Sequence, residues 1–180
     1  MQGFSGYPKT RWDGYRLMYL TEEFYFIDKS NKKWEVPIGA EVNGATIPKP
    51  LWSTIGPPFV GAYRRASVVH DYFVGEGSNP NVTYEERRLA DKMFFEACRF
   101  DGCSWKFAAL LYMGVSVGSW ASKKQVRHTR FNKEMISMSM AEDDSVTQKF
   151  EELTSKTEDL INGEENFEAL QKLVEAEINK

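Results

Sequence analysis

The chain has two histidines. One of them, His70, is followed directly by Asp71 inside the stretch Ala62–Val74, AYRRASVVHDYFV. Together with an aspartate from another helix, this pair has the composition of a hydrolytic centre. A neutral imidazole can take a proton from water, a second carboxylate can orient the ring, and the adjacent aspartate can hold a hard cation that polarises a carbonyl. Neighbouring residues on a helix point roughly 100° apart, so His70 and Asp71 can flank one pocket but cannot serve one atom in the same way. Asp91 is the natural orienting carboxylate, because its helix should run antiparallel to that of His70 across a short polar loop. The same residues also fit a plainer arrangement, in which His70 is a core histidine bonded to Asp91 for stability alone, or Asp91 pairs with Arg87 or Arg88 on its own helix.

The elements that must position these groups follow from pattern. Ala62, Ala66, Val69 and Phe73 recur at helical spacing with His70 on the same stripe, which predicts a helix over about 61–74. Thr83 with Glu86 three positions on is a capping box, and Gly102 is a stop, so a second helix is expected to reach about Phe100. Its inner face should comprise Leu89, Ala90, Met93, Phe94 and Ala97, with Asp91 beside it. A third helix from about Ser104 through Val117 is apolar nearly all round and should be the most buried element. Upstream, residues 1–14 read as an irregular arm or edge strand. YRLMYLTEEFYFID reads as one long strand or a bent pair, the polar turn Asp28–Lys33 leads to a second strand ending at Pro37, and a small antiparallel hairpin or sheet results. Residues 39–58 hold Pro48, Pro50, Pro57 and Pro58 with Asn43-Gly44, a stiff loop that serves as a connector or as a wall of backbone carbonyls.

The fold class is therefore α+β, a small N-terminal antiparallel sheet on a mainly helical core of about three helices. Residues 1–121 form the globular domain. Residues 122–180 are a charged helical tail with two narrow amphipathic stripes, Phe150/Leu153/Thr157/Leu160/Ile161 and Phe167/Leu170/Val174/Ile178. Helices of that length are weakly populated alone, so the tail should dock on another surface. Met135, Met138 and Met140 could face a partner, but fill gaps more often.

A net charge of −3 over 180 residues argues against a generic nucleic-acid binder, which needs clustered Lys and Arg; the basic run Lys123–Arg130 reads as a solvated face, with contact to phosphates or an acidic partner as the alternative. Cys98 and Cys103 are too few for a disulfide framework or a four-ligand zinc site, and favour reduced packing thiols over a bond between them across a helix end. No signal peptide is expected after Met1, and no apolar run approaches the roughly 20 residues of a membrane span. GxSxG and P-loop motifs are missing.

Over residues 15–120 the chain resembles a family of uncharacterised proteins of tailed phages and prophages. The matching motifs are Val36-Pro37, Asn43–Lys49, Trp52–Pro58, Ala66–Tyr72 and Ala90-Asp91 to Phe94. The resemblance implies a phage accessory protein, made in the bacterial cytoplasm and incorporated in the virion, with other virion proteins as partners through the C-terminal helices. Over 62–98 the His-Asp helix followed by Asp-x-x-Phe is similar to the active-site helix pair of phospholipase A2. That likeness implies His70 as general base, Asp91 as its partner, Asp71 as calcium ligand with carbonyls of Gly44 and Gly56, and a lipid or ester substrate used in membrane penetration or lysis. Val74 stands where the phospholipase carries tyrosine, and Asn43 where the phage family carries an acid, which weakens a calcium loop. The expectation is thus a virion-associated protein with a phospholipase-like core, and the alternative a calcium-dependent hydrolase.

Overall fold

A computed structural model describes residues 1–14, 18–42, 47–56, 61–74, 82–129 and 139–179. They fall into two units, each made of segments separated in sequence: 1–46 with 58–104, and 47–57 with 105–180.

In the first unit, six short strands make two three-stranded antiparallel sheets. β1 (Gly3–Phe4), β4 (Phe24–Ile27) and β5 (Lys33–Val36) form one, in the order β1-β4-β5. β2 (Thr10–Trp12), β3 (Met18–Leu20) and β6 (Glu41–Val42) form the other, in the order β2-β3-β6. The aromatic run expected as a long strand or bent pair is the bent pair, with β3 and β4 on different sheets. Alternation sets the register of the β4–β5 hairpin: Phe24 opposes Val36 and Phe26 opposes Trp34, and these four side chains are buried. Their neighbours Lys33 and Glu35 are exposed, as period-two patterning requires.

The hairpin turn is tied by one carboxylate. Asp28 accepts from Ser30 N at 2.9 Å, Ser30 Oγ at 2.6 Å, Lys32 N at 3.0 Å and Trp34 Nε1 at 2.8 Å. Burial raises its pKa, but the bonds from Ser30, Trp34 and Lys32 outweigh burial and leave it below the usual carboxylate value. Asn31 takes the left-handed conformation that closes the turn, at φ 64°.

A one-turn 3₁₀ segment (Gly61–Tyr63) leads into an α-helix, Arg64–Val74, and a second α-helix spans Tyr84–Phe100. The first of these contacts β4, β5 and β6 on one side and the second helix on the other. It is therefore buried continuously from Ala66 to Asp71, not along one stripe. Ala62, expected on that stripe, precedes the α-helix and is exposed.

The second unit is helical. A 3₁₀ turn (Lys49–Leu51) runs into a short helix α1 (Trp52–Ile55), so the proline-rich segment is a helical strap and not a plain loop. With the His70 and Asp91 helices as α2 and α3, the long helix Trp105–Thr129 is α4, Ser139–Asn162 is α5 and Phe167–Ile178 is α6. α4 is buried from Leu111 through Ser119, as its apolar circumference requires. α5 and α6 close on α4 and on each other. Phe150, Leu153, Thr157 and Ile161 of one stripe, and Leu170, Val174 and Ile178 of the other, are buried. The surface on which these stripes dock includes this chain's own α4. Trp105 Nε1 donates to the carbonyl of Leu160 at 3.4 Å, and the Tyr112 and Phe167 rings meet edge to face at 5.1 Å. Gly114 lets the strap approach: a Cβ there would stand 2.6 Å from Ile55 Cδ1. Among the described residues no helix is long and apolar enough to cross a membrane.

Candidate functional site: a buried His-Asp-Arg cluster

α3 is positioned by its ends. Thr83 Oγ1 accepts from Glu86 N at 3.2 Å while the Glu86 carboxylate accepts from Thr83 N at 2.8 Å, the reciprocal box read in the sequence. Those bonds from Thr83, backbone and hydroxyl, hold the Glu86 carboxyl below its ordinary pKa. At the other end Gly102, at φ 92°, turns the chain out of the helix.

Three polar ties run along the antiparallel α2–α3 pair. At one end Arg87 Nη1 donates to the carbonyl of Val74 at 2.8 Å. At the other, Arg65 grips Asp101, with Nε 3.0 Å from both carboxylate oxygens, and donates through Nη1 to the carbonyl of Gly6 at 3.1 Å. The Asp101 bond raises the Arg65 pKa, and its guanidinium also lies 4.5 Å from the Phe4 ring. Between these ties His70 Nε2 stands 2.8 Å from Asp91 Oδ1, and Arg88 Nη1 donates to Asp91 Oδ2 at 2.8 Å. Both partners foreseen for Asp91 are thus present together, the histidine from the facing helix and the arginine one turn back on its own.

The cluster is closed. Side-chain exposure is 1% for His70, 0% for Asp91 and 11% for Arg88. The Phe94 ring lies 4.9 Å from the imidazole. A carboxylate offers only acceptors, so the hydrogen bond places the imidazole proton on Nε2 and leaves a lone pair on Nδ1. That Nδ1 is buried and makes no hydrogen bond among the described residues. An orphaned polar atom of this kind costs about 1–3 kcal/mol.

Of the remaining candidate residues, Asp71 is the one described in the same unit. Asp71 is buried beside His70, at 2% exposure, and engages a partner of its own. Gly44 lies outside the described residues. Gly56 belongs to the second unit, where it takes a φ of 104°. Calcium takes six to eight oxygens, roughly, from several carboxylates and carbonyls. Among the described residues there is no group of three or more acidic, histidine or cysteine side chains that could hold a metal.

Leu89, expected on the inner face of α3, is 53% exposed, while Asp91, expected beside that face, is fully buried. A hydrophobicity count ranks leucine above aspartate; it cannot see that the Arg88 cation and the His70 ring satisfy the carboxylate. The Arg65–Asp101 clamp has a sequence separation of 36 and no local signature.

A family model described as "Protein of unknown function (DUF1353)" matches residues 18–115, more than half of the chain. The chain belongs to this family. The matched span contains the whole α2–α3 pair and the start of α4. A curated relative, "Uncharacterized protein y4jT" of Sinorhizobium fredii (strain NBRC 101917 / NGR234), is 38% identical over 112 residues, covering 61% of this chain. The match spans 32% of the relative's own length. No solved structure matches.

Proposed function

We propose that the chain is a tailed-phage or prophage accessory protein, associated with the virion as a tail, neck or capsid component, in which a phospholipase A2-like helix pair serves as a rigid scaffold. The observation that carries this reading is the closure of the cluster, with His70 and Asp91 at 1% and 0% side-chain exposure. A general base must come within hydrogen-bond reach of the proton that it removes, and both oxygens of Asp91 are engaged, Oδ1 with His70 of α2 and Oδ2 with Arg88 of α3 itself. The five phage-family motifs support the origin. With the inward stripes of α5 and α6 covered by α4, contact with other virion proteins falls to the exposed outer faces of these helices. Particles purified from a producing host by density gradient and examined by mass spectrometry test the reading. The protein should band with the particles in stoichiometric amount; its exclusion from them would overturn the proposal.

A second reading has one observation in its favour, the buried Nδ1 of His70 with no hydrogen bond among the described residues. A neutral ring held through Nε2 by Asp91 presents that lone pair as a base toward water, which would make the protein a lipid or ester hydrolase. Asp71, next to His70 and buried, is the carboxylate that this reading assigns to calcium. Phospholipid vesicles treated with wild type and with His70→Asn, each with and without calcium, separate the readings. Turnover that vanishes in the variant supports hydrolysis, and an inert wild type removes it.

A further inference from the structure

The turn after α3 brings the chain's two cysteines together. Asp101 N donates to Ala97 O at 3.0 Å, Gly102 N to Arg99 O at 3.2 Å, and Cys103 N to Cys98 O at 3.0 Å. A backbone bond joining the two cysteine residues themselves holds their Cα atoms within the span a disulfide bridges, roughly 4.4–6.8 Å. The two thiols also perturb each other's titration, as neighbouring sulfurs do. The chain has no third cysteine to compete.

We propose that Cys98 and Cys103 are a modification site: on meeting a small-molecule disulfide they close an intramolecular disulfide that locks the C-terminal turn of α3. Cys103 is the entry point. It is 4% exposed and sits between the exposed residues Gly102 and Ser104, whereas Cys98 is 0% exposed. The hydrogen bond from Cys98 lowers the Cys103 thiol against the opposing effect of its burial, with Arg99 adding to the lowering, and burial pushes Cys98 well up. Its place between exposed residues, with these shifts beside it, gives Cys103 the attacking role and the fully buried Cys98 the resolving one. The Cys103 thiolate attacks one sulfur of the external disulfide and expels the first small thiolate. The Cys98 sulfur then displaces the second from the mixed disulfide. One S–S bond forms in the protein and one is broken outside it. Two electrons pass to the external disulfide, and the two thiol protons leave on the two small thiols released. Asp101 lies within the closed ring, so the bond fixes the turn that holds Asp101 against Arg65 of α2.

The test uses the full chain, reduced, then equilibrated in buffers of graded oxidised to reduced glutathione, acid-quenched and weighed intact. The expected result is a single transition in which both thiols disappear together with the loss of two hydrogens, and a peptide map that joins Cys98 to Cys103. Cys98→Ala should accumulate glutathione on Cys103, and Cys103→Ser should stay unmodified. Oxidation should raise the urea midpoint of wild type and not that of Cys98→Ala. Three wild-type results would each overturn the proposal, and they stand even if a variant fails to fold: both thiols persisting in the most oxidising buffer, a stable Cys103–glutathione adduct, or bonds only between chains.

Discussion

The two units solve the burial problem in opposite ways. In the first, Asp28, His70, Asp71 and Asp91 are all buried, and ion pairs and charge-assisted hydrogen bonds link its helices. In the second, the buried polar side chains among the described residues are Ser116, Ser119 and Thr157, all uncharged, and the rest of the core is apolar, with Leu, Val, Phe and Met among it. Buried charge is expensive to desolvate and returns the cost only with good geometry, so it is a weak route to stability and a strong way to fix which groups meet. Apolar packing is the reverse, giving stability with tolerance of substitution. The first unit therefore reads as the part built for specificity, and the second as the part built for cohesion.

The sharpest way to break that contrast is to remove the shared carboxylate. Asp91→Ala leaves Arg88 and His70 buried without their common partner and should cost about 3–5 kcal/mol. In urea unfolding the midpoint should fall accordingly, and amide exchange should accelerate in α2 and α3 before α5 and α6. In the second unit the comparable loss needs a cavity. Leu153→Ala, at a fully buried position, should cost about 2–5 kcal/mol, first seen as lost protection in α5. Thr83→Ala removes the α3 cap, and a smaller cost of about 1 kcal/mol is expected in the same urea measurement. The least effect should come from Thr157→Val. Its hydroxyl bonds back to Leu153 O at 2.7 Å and to Met113 Sδ at 3.2 Å, so removing it without changing shape should stay within about 1 kcal/mol.

The contrast also has a pH signature. Asp28 has a folded pKa below its unfolded value of 3.8, so its contribution is fully present above that value and is lost as pH falls through the lower folded one. Acid unfolding of wild type and Asp28→Asn should differ: the wild type should lose its advantage over the variant in that acid window. A constant difference through it would show that Asp28 acts by shape alone.

Local signals were legible and long-range ones were not. The capping box at Thr83 and Glu86, the turn at Gly102, the Asp28–Lys33 turn and the two C-terminal stripes each sit within a few residues, where backbone chemistry decides the outcome. The exposure of Leu89 against the burial of Asp91 depends on Arg88 and on a ring contributed from another helix. Ile47, Leu51 and Ile55 recur at helical spacing, but the prolines between them masked the strap as a loop. For the cluster, the meeting of His70 and Asp91 followed from an antiparallel helix pair with a short connection. Its closure did not, because which face of α2 lies under the β4–β5 hairpin is settled by packing among elements far apart in sequence.

The interleaving of the units bears on how the chain can be made. During synthesis the strap 47–57 emerges well before its partners, which begin at residue 105. Ile47, Leu51 and Ile55 must therefore wait for those partners while the rest of the first unit is made. Apolar surface exposed in that interval is a hazard for association with other nascent chains. Ending the gene after residue 104 would make the wait permanent, so a soluble fragment of the first unit requires these three residues to be changed to polar ones.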